Sequence, residues 1–404
     1  MFERGPGAGM GYRGLIKREL LIWAAVSFTS KIPIAMTPLA LVFLMRATDG
    51  YAFGATLAAC YVVGEVAGAS MQGMLLRHSR VRIELAIGLA VGAAAFAGLA
   101  LSRHAPLPVL VVLACIAGAG PAASPGGLRS MLTAMVPERD VPRALSAETM
   151  LADVIWAISP AVVVALALRV DAAAPIALAA LCAAMAAGLI FLLPEPSATP
   201  RPSGAESPWR AVASGWPIYL TSASAMSLLA IAELLLPALL EFRRVPVGWA
   251  GPMLTAFAVT AAVGAFCYGL RSWPGSVRTH SLVLLVVTTG WVALLAVLPG
   301  IGIGIALAVA GFFQSAVIVA RNLALRERLP AAYHSSAYSV MYAASGVGYG
   351  FTATVGAIVL DHASPSTAIL GAVVLTLIFT AISWLAERSP RPTPEPAYAS
   401  TERP

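Results

Sequence analysis

Long apolar runs separated by short polar ones set the rhythm of this chain. Runs such as Leu282–Leu298 and Ala368–Leu385 are almost wholly hydrophobic or small, and helices of that length cross the ~30 Å hydrocarbon core of a bilayer. Hydropathy predicts twelve spans, at about 20–45, 51–76, 83–101, 107–135, 144–168, 172–193, 213–241, 248–270, 280–298, 301–325, 336–360 and 366–386. The longest polar interval between them, Pro194–Ala211, is rich in Pro, Ser and Arg and falls mid-chain. The pattern predicts an all-α membrane protein of two six-helix bundles, 1–193 and 213–388, with a linker at 194–212 and a disordered tail at 389–404.

The two halves share a weak repeat. Gly73-Met-Leu-Leu-Arg-His-Ser-Arg-Val-Arg82 and Gly269-Leu-Arg-Ser-Trp-Pro-Gly-Ser-Val-Arg278 both begin with Gly and close with Val-Arg, at an offset of 196. Gly118, Pro137, Ala144 and Ser146 match Gly311, Pro330, Ala337 and Ser339 at an offset of 193. Matches at nearly half the chain length, in equivalent spans, argue for duplicated six-helix halves with a midplane site between them.

Composition agrees: 59% of residues are hydrophobic and 11% charged, against about 45–50% and 25% in soluble domains. The net charge of +7 is spread over short loops, so no basic face for nucleic acid is formed. Most Lys and Arg fall in the segments that share a side with the N-terminus. Only Arg46, Arg103, Arg169, Arg243 and Arg244 fall in the opposite loops, so both termini are expected in the cytoplasm of a bacterial inner membrane. The first span lacks a signal-peptide cleavage site and reads as a retained helix. Cys60, Cys115, Cys182 and Cys267 sit in apolar spans without metal-like spacing, and neither disulfide, metal nor cofactor is expected. No enzyme or phosphate-loop motif is present, which excludes ATP as driving force and points away from catalysis.

Several stretches resemble the major facilitator superfamily, in the flavour of its Ala-rich actinobacterial, drug-efflux-like members. They are Lys31-Ile-Pro-Ile-Ala-Met-Thr-Pro-Leu-Ala-Leu-Val42 in span one, Ala232-Glu-Leu-Leu-Leu-Pro237 in span seven and Tyr268-Gly-Leu-Arg-Ser-Trp-Pro-Gly-Ser276 after span eight. The resemblance covers all twelve spans and implies alternating access by two pseudo-symmetric bundles. The superfamily's loop motif after span two survives as Gly73, Leu75 and Arg82, while Arg77 replaces its Asp and Arg80 its second Gly. Ala114 stands where a span-four motif places Arg, and Ser159-Pro160 where an antiporter motif places Gly-Pro.

Seven ionisable residues interrupt the apolar spans: Lys31, Glu65, Arg129, Glu148, Asp153, Glu233 and Arg321. A charge at that depth costs at least ~2.5–3.5 kcal/mol on insertion scales, so such residues are functional candidates. Lys31, Glu65 and Asp153 fall at about 14–18 Å by helical rise. They are expected to meet as two protonatable carboxylates with Lys31 as counter-charge; a permanent ion cluster fixing helix packing is the alternative. Arg129 and Glu148, about 7–12 Å in, read either as a cytoplasmic-side pair or as groups snorkelling to headgroups and water. Arg321 reads as an anchor or gate, and Glu233 as a cavity site for a proton or cation or as an outward gate. Trp23, Trp156, Met150, Phe312, Phe313, Gln314, Tyr338 and Tyr342 are placed where they line a cavity or pack. Pro33, Pro38, Pro121, Pro125, Pro160 and Pro237 are expected to kink or break spans.

The function expected is secondary active transport, as a proton-coupled antiporter exporting lipophilic, drug-like compounds with a part in antibiotic resistance. Its partners are a small-molecule substrate, protons and the lipid bilayer, and it acts as a monomer. Uptake or facilitated diffusion of a metabolite is one alternative, and a transporter-like membrane sensor or assembly protein is another.

Overall fold

The structure, a computed structural model, describes residues 17–46, 51–75, 80–194, 208–271, 273–360 and 362–387. The basic segment before Lys17, residues 195–207 of the expected linker and the expected tail lie outside the described residues. The helices are α1 (Arg18–Arg46), α2 (Tyr51–Leu75), α3 (Val81–Leu101), α4 (Leu107–Ala119), α5 (Ser124–Met135), α6 (Val141–Arg169), α7 (Ala174–Leu189) and α8 (Pro208–Ala213). They continue with α9 (Trp216–Leu234), α10 (Leu236–Phe242), α11 (Ala250–Leu270), α12 (Val277–Leu295), α13 (Ile301–Arg328), α14 (His334–Leu360) and α15 (Pro365–Ala386). Eleven spans among the described residues are long and apolar enough to cross a membrane, and α14, with 27 residues, supplies the twelfth. A helix is the form in which such a segment satisfies its own backbone in lipid.

Proline explains where spans break. Pro121 and Pro125 lack the N–H that a helix interior requires, and span four divides into α4 and α5 around them. Pro237 deprives the Glu233 carbonyl of its regular donor, and α9 gives way to α10 there. Pro33, Pro38 and Pro160 do not break their spans, since α1 and α6 continue through them. The last part of the expected linker is also helical, as α8.

The repeat offsets recur as contacts. A Cβ on Gly118 would lie 2.1 Å from the Tyr61 carbonyl oxygen, and one on Gly311 2.5 Å from that of Phe257, 196 positions after Tyr61. Gly68 meets the Ala119 backbone as Gly264 meets that of Phe312. Spans two and four therefore touch backbone to backbone, and spans eight and ten repeat the contact. Arg82, the end of the first repeated loop, donates to the carbonyls of Phe191 (3.5 Å) and Leu193 (3.0 Å). Arg278, the end of the second, donates to the carbonyl of Trp384, which lies 193 positions after Phe191. Of the other loop-motif residues, Gly73 packs on Ser339, and Leu75 ends α2 with its side chain outside the described residues.

The halves meet mainly on one side, the one where α1 begins and α15 ends, termed here the terminus side. A single apolar core there runs from Trp23, Leu85 and Leu145 across to Ala265, Val319 and Leu323. On the far side the core separates into two. One, around Met36, Leu57, Phe96 and Leu110, belongs to the N-terminal half; the other, around Leu228, Leu236, Phe257 and Val292, belongs to the C-terminal half. Among the described residues α1 has no substantial packing against α9 or α10. The bundle thus holds a cleft closed at the terminus side and open on the far side.

Candidate functional site

At the floor of the cleft three helices of the N-terminal half converge on one carboxylate. The Trp23 indole donates to the Leu128 carbonyl at 2.8 Å, fixing α1 against α5. Lys31, two turns further along α1, shares that face. Its ammonium lies 2.5 Å from Glu148 Oε1 on α6. Arg129 on α5 grips the same carboxylate with Nε and Nη2, both at 2.8 Å. Glu148 is 1% exposed. Burial on that scale is tolerated where charge pairing and bidentate hydrogen bonding coincide.

Arg129 also reaches the other half. Its Nη1 donates to Asn322 Oδ1 on α13 at 3.0 Å, and its guanidinium lies 5.7 Å from the ring centre of Tyr338 on α14. Asn322 stands 193 positions after Arg129, so the two are repeat mates in direct contact. Nearer the surface Ser335 donates to Ser130 at 2.8 Å, Arg326 pairs with Glu138, and Gly126 packs on the Ser339 backbone. These contacts seal the terminus side.

Deeper in, each remaining acid meets a hydroxyl. Ser315 on α13 donates to Asp153 on α6 at 2.8 Å. Tyr342 on α14 donates to Glu65 on α2 at 2.6 Å. Both bonds join one half to the other. Within the C-terminal half Tyr349 donates to Glu233 at 3.0 Å.

A family model of the Major Facilitator Superfamily matches residues 23–300. The chain belongs to this superfamily. It is a multi-pass membrane protein, and its function is membrane transport. No relative was found among curated protein sequences. Among solved structures it resembles the Major Facilitator Superfamily transporter FucP in the outward conformation, with 15% identity, 91% of this chain and 98% of that chain covered, and a TM-score of 0.72. The human organic anion transporter TETRAN aligns at 16% identity over 90% of this chain and 96% of that chain, with a TM-score of 0.67. A bacterial homologue of the iron transporter ferroportin, outward-facing, aligns at 16% identity over 91% of this chain and 100% of that chain, also with a TM-score of 0.67. At these identities the likeness establishes the fold alone.

Within this major facilitator fold the sequence-predicted residues regroup. Lys31 pairs with Glu148, not with Glu65 or Asp153. Glu148 and Asp153 are five residues apart on α6, about 140° around the helix, so one faces α1 and α5 while the other faces α13. Arg129 and Glu148, read from sequence either as a pair or as snorkelling groups, are paired. Arg321 is 1% exposed, bonded to Ser281 (2.8 Å) and paired with Glu387 (2.8 Å). It ties α12, α13 and the end of α15 together inside one half, and is no headgroup anchor. Among the expected cavity residues Trp23, Gln314 and Tyr338 are buried in packing, and Gln314 donates to the Ala225 carbonyl at 2.8 Å. Phe312, Phe313, Met150 and Tyr342 are half-buried, and Trp156 is exposed. Ser315, Asn322 and Tyr349 were not singled out from sequence. The 193-residue offset applied to Arg129 would have found Asn322, but single hydroxyls in an apolar span carry no comparable signal.

Proposed function

We propose that this superfamily member is a proton-coupled exporter of small lipophilic compounds, working as a monomer by alternating access in a bacterial inner membrane, with both termini cytoplasmic. Residues 1–193 and 213–388 are the moving bundles, 194–212 the linker and 389–404 the tail. The observation that carries this reading is the pair of mid-membrane carboxyls, Glu65 and Asp153. Each is bonded across the cleft to a neutral hydroxyl, Tyr342 or Ser315, while Lys31 and Arg129 are engaged by Glu148. A buried carboxyl held by a hydroxyl has no fixed cation to keep it ionised, so it exchanges a proton when its surroundings change. Rocking the halves apart breaks both bonds and wets both groups, which links proton release to the change of access. Uptake of a small metabolite driven by the same protons would reverse the direction of flux.

The test is efflux of a dye and antibiotic panel from cells expressing the chain, with and without a proton gradient. Gradient-dependent efflux is expected, abolished or cut at least about tenfold, the effect of ~1.4 kcal/mol, by Asp153→Asn or Glu65→Gln. Full retention by both variants would refute the coupling role. Gradient-driven accumulation in place of efflux would assign uptake.

A further inference from the structure

The ionisable groups around the cleft are unbalanced. Lys31 and Arg129 stand against Glu65, Glu148, Asp153 and Glu233, and Glu148 alone engages both cations. The other carboxyls are left with hydroxyl partners.

Two of those hydroxyls lie on one face of one helix. Tyr342 and Tyr349 are seven residues apart on α14, hence two turns and about 10 Å along the axis. Tyr342 holds a carboxyl from the N-terminal half, and Tyr349, nearer the open mouth, holds one from the C-terminal half. All four side chains are half-buried.

Each pair has a further oxygen nearby. At the outer pair, Pro237 leaves the Glu233 carbonyl without its helical donor, and α9 ends one residue later at Leu234. That carbonyl stands as a second acceptor beside the carboxyl, and together the two attract a cation. Close packing fixes the arrangement. A Cβ on Gly348 would lie 2.2 Å from the Ala223 carbonyl oxygen, and Ser227 donates to the Gly348 carbonyl at 3.0 Å, so α9 and α14 touch along their backbones. At the inner pair, Tyr61 lies one turn from Glu65 on the same face of α2. It is fully buried.

We propose that the cleft is a two-station path for an organic cation, with Glu65 and Tyr342 holding it at mid-membrane and Glu233 and Tyr349 holding it near the mouth. The carboxyls supply charge and the tyrosine faces supply cation–π contact. Both pairs stand in otherwise apolar spans, which suits a lipophilic cation over a hydrated one. This rests on the transport reading above only in taking the cleft as the substrate's route.

The test is equilibrium binding to the purified protein at one pH, with no gradient. The probes are tetraphenylphosphonium and tetraphenylborate, ions of the same shape and opposite charge. Phosphonium is expected to bind and borate to bind far more weakly. Glu233→Gln and Glu65→Gln should each weaken phosphonium binding roughly tenfold, one buried charge contact's worth, and Tyr349→Leu, which removes the ring face, should weaken it severalfold. The Tyr349 variant keeps the test decisive if Glu233→Gln folds poorly. Borate binding as tight as phosphonium, absence of phosphonium binding, or phosphonium binding unmoved by Glu233→Gln and Tyr349→Leu would each overturn the path. Proton coupling as proposed above runs through Glu65 and Asp153 and does not use Glu233 or Tyr349. Gradient-independent flux with Glu233-dependent binding intact therefore counts against the coupling reading and leaves the cation path standing.

Discussion

Glu148 holds two cations at the base of the cleft, and its removal strands both. Glu148→Gln is expected to cost about 3–5 kcal/mol, the usual penalty for leaving buried charge uncompensated. Lys31→Met should cost less, because the bidentate Arg129–Glu148 pair survives it. Thermal unfolding in detergent compares the two, and equal destabilisation would contradict the shared-carboxylate account. Order along each span was legible for these residues, because helical rise converts sequence position into distance along the helix. Direction around the axis was not. Spans apolar on every side carry no stripe to show which face meets which neighbour, so Lys31 was assigned to carboxylates at its own depth when its partner lay on the face turned toward it.

Helix contacts depend on glycines that vary in how much room they leave. Gly264→Ala would place a methyl 1.7 Å from the Phe312 carbonyl oxygen, forcing α11 and α13 apart at a cost of about 1–3 kcal/mol. Gly290→Ala on α12 meets nothing within 4 Å and is expected to be neutral or to gain up to about 1 kcal/mol from helix propensity. Melting temperatures of the two variants separate close approach from backbone preference, and similar values would argue against tight packing of spans eight and ten. The spans themselves, the breaks at Pro121, Pro125 and Pro237 and the repeat offsets were all readable from sequence, since each rests on a local residue property or a fixed spacing. The continuity of α1 through Pro33 and Pro38 was not, because packing against neighbouring helices decides whether a proline interrupts or merely bends.

The whole bundle is sealed on the terminus side by contacts between α5 and α13 or α14. A Ser130→Cys/Ser335→Cys pair replaces hydroxyls 2.8 Å apart, and oxidation should link them and stop turnover, with recovery on reduction. Substrate flux in proteoliposomes reads the result. Full flux in a fully cross-linked sample would mean that this seam does not open during transport. The sequence predicted two similar halves but not which end they close, because both ends are built from the same small and apolar residues and either closure buries them equally well.

The contact between Arg129 and Asn322 has an ancestral consequence. In an isologous dimer the residue on the twofold axis faces its own copy. A precursor with two identical halves would therefore have set arginine against arginine, or asparagine against asparagine, at this point. Two guanidiniums repel, whereas two carboxamides leave Glu148 without its bidentate partner. Unlike residues satisfy both demands, and the two halves differ at this point of contact.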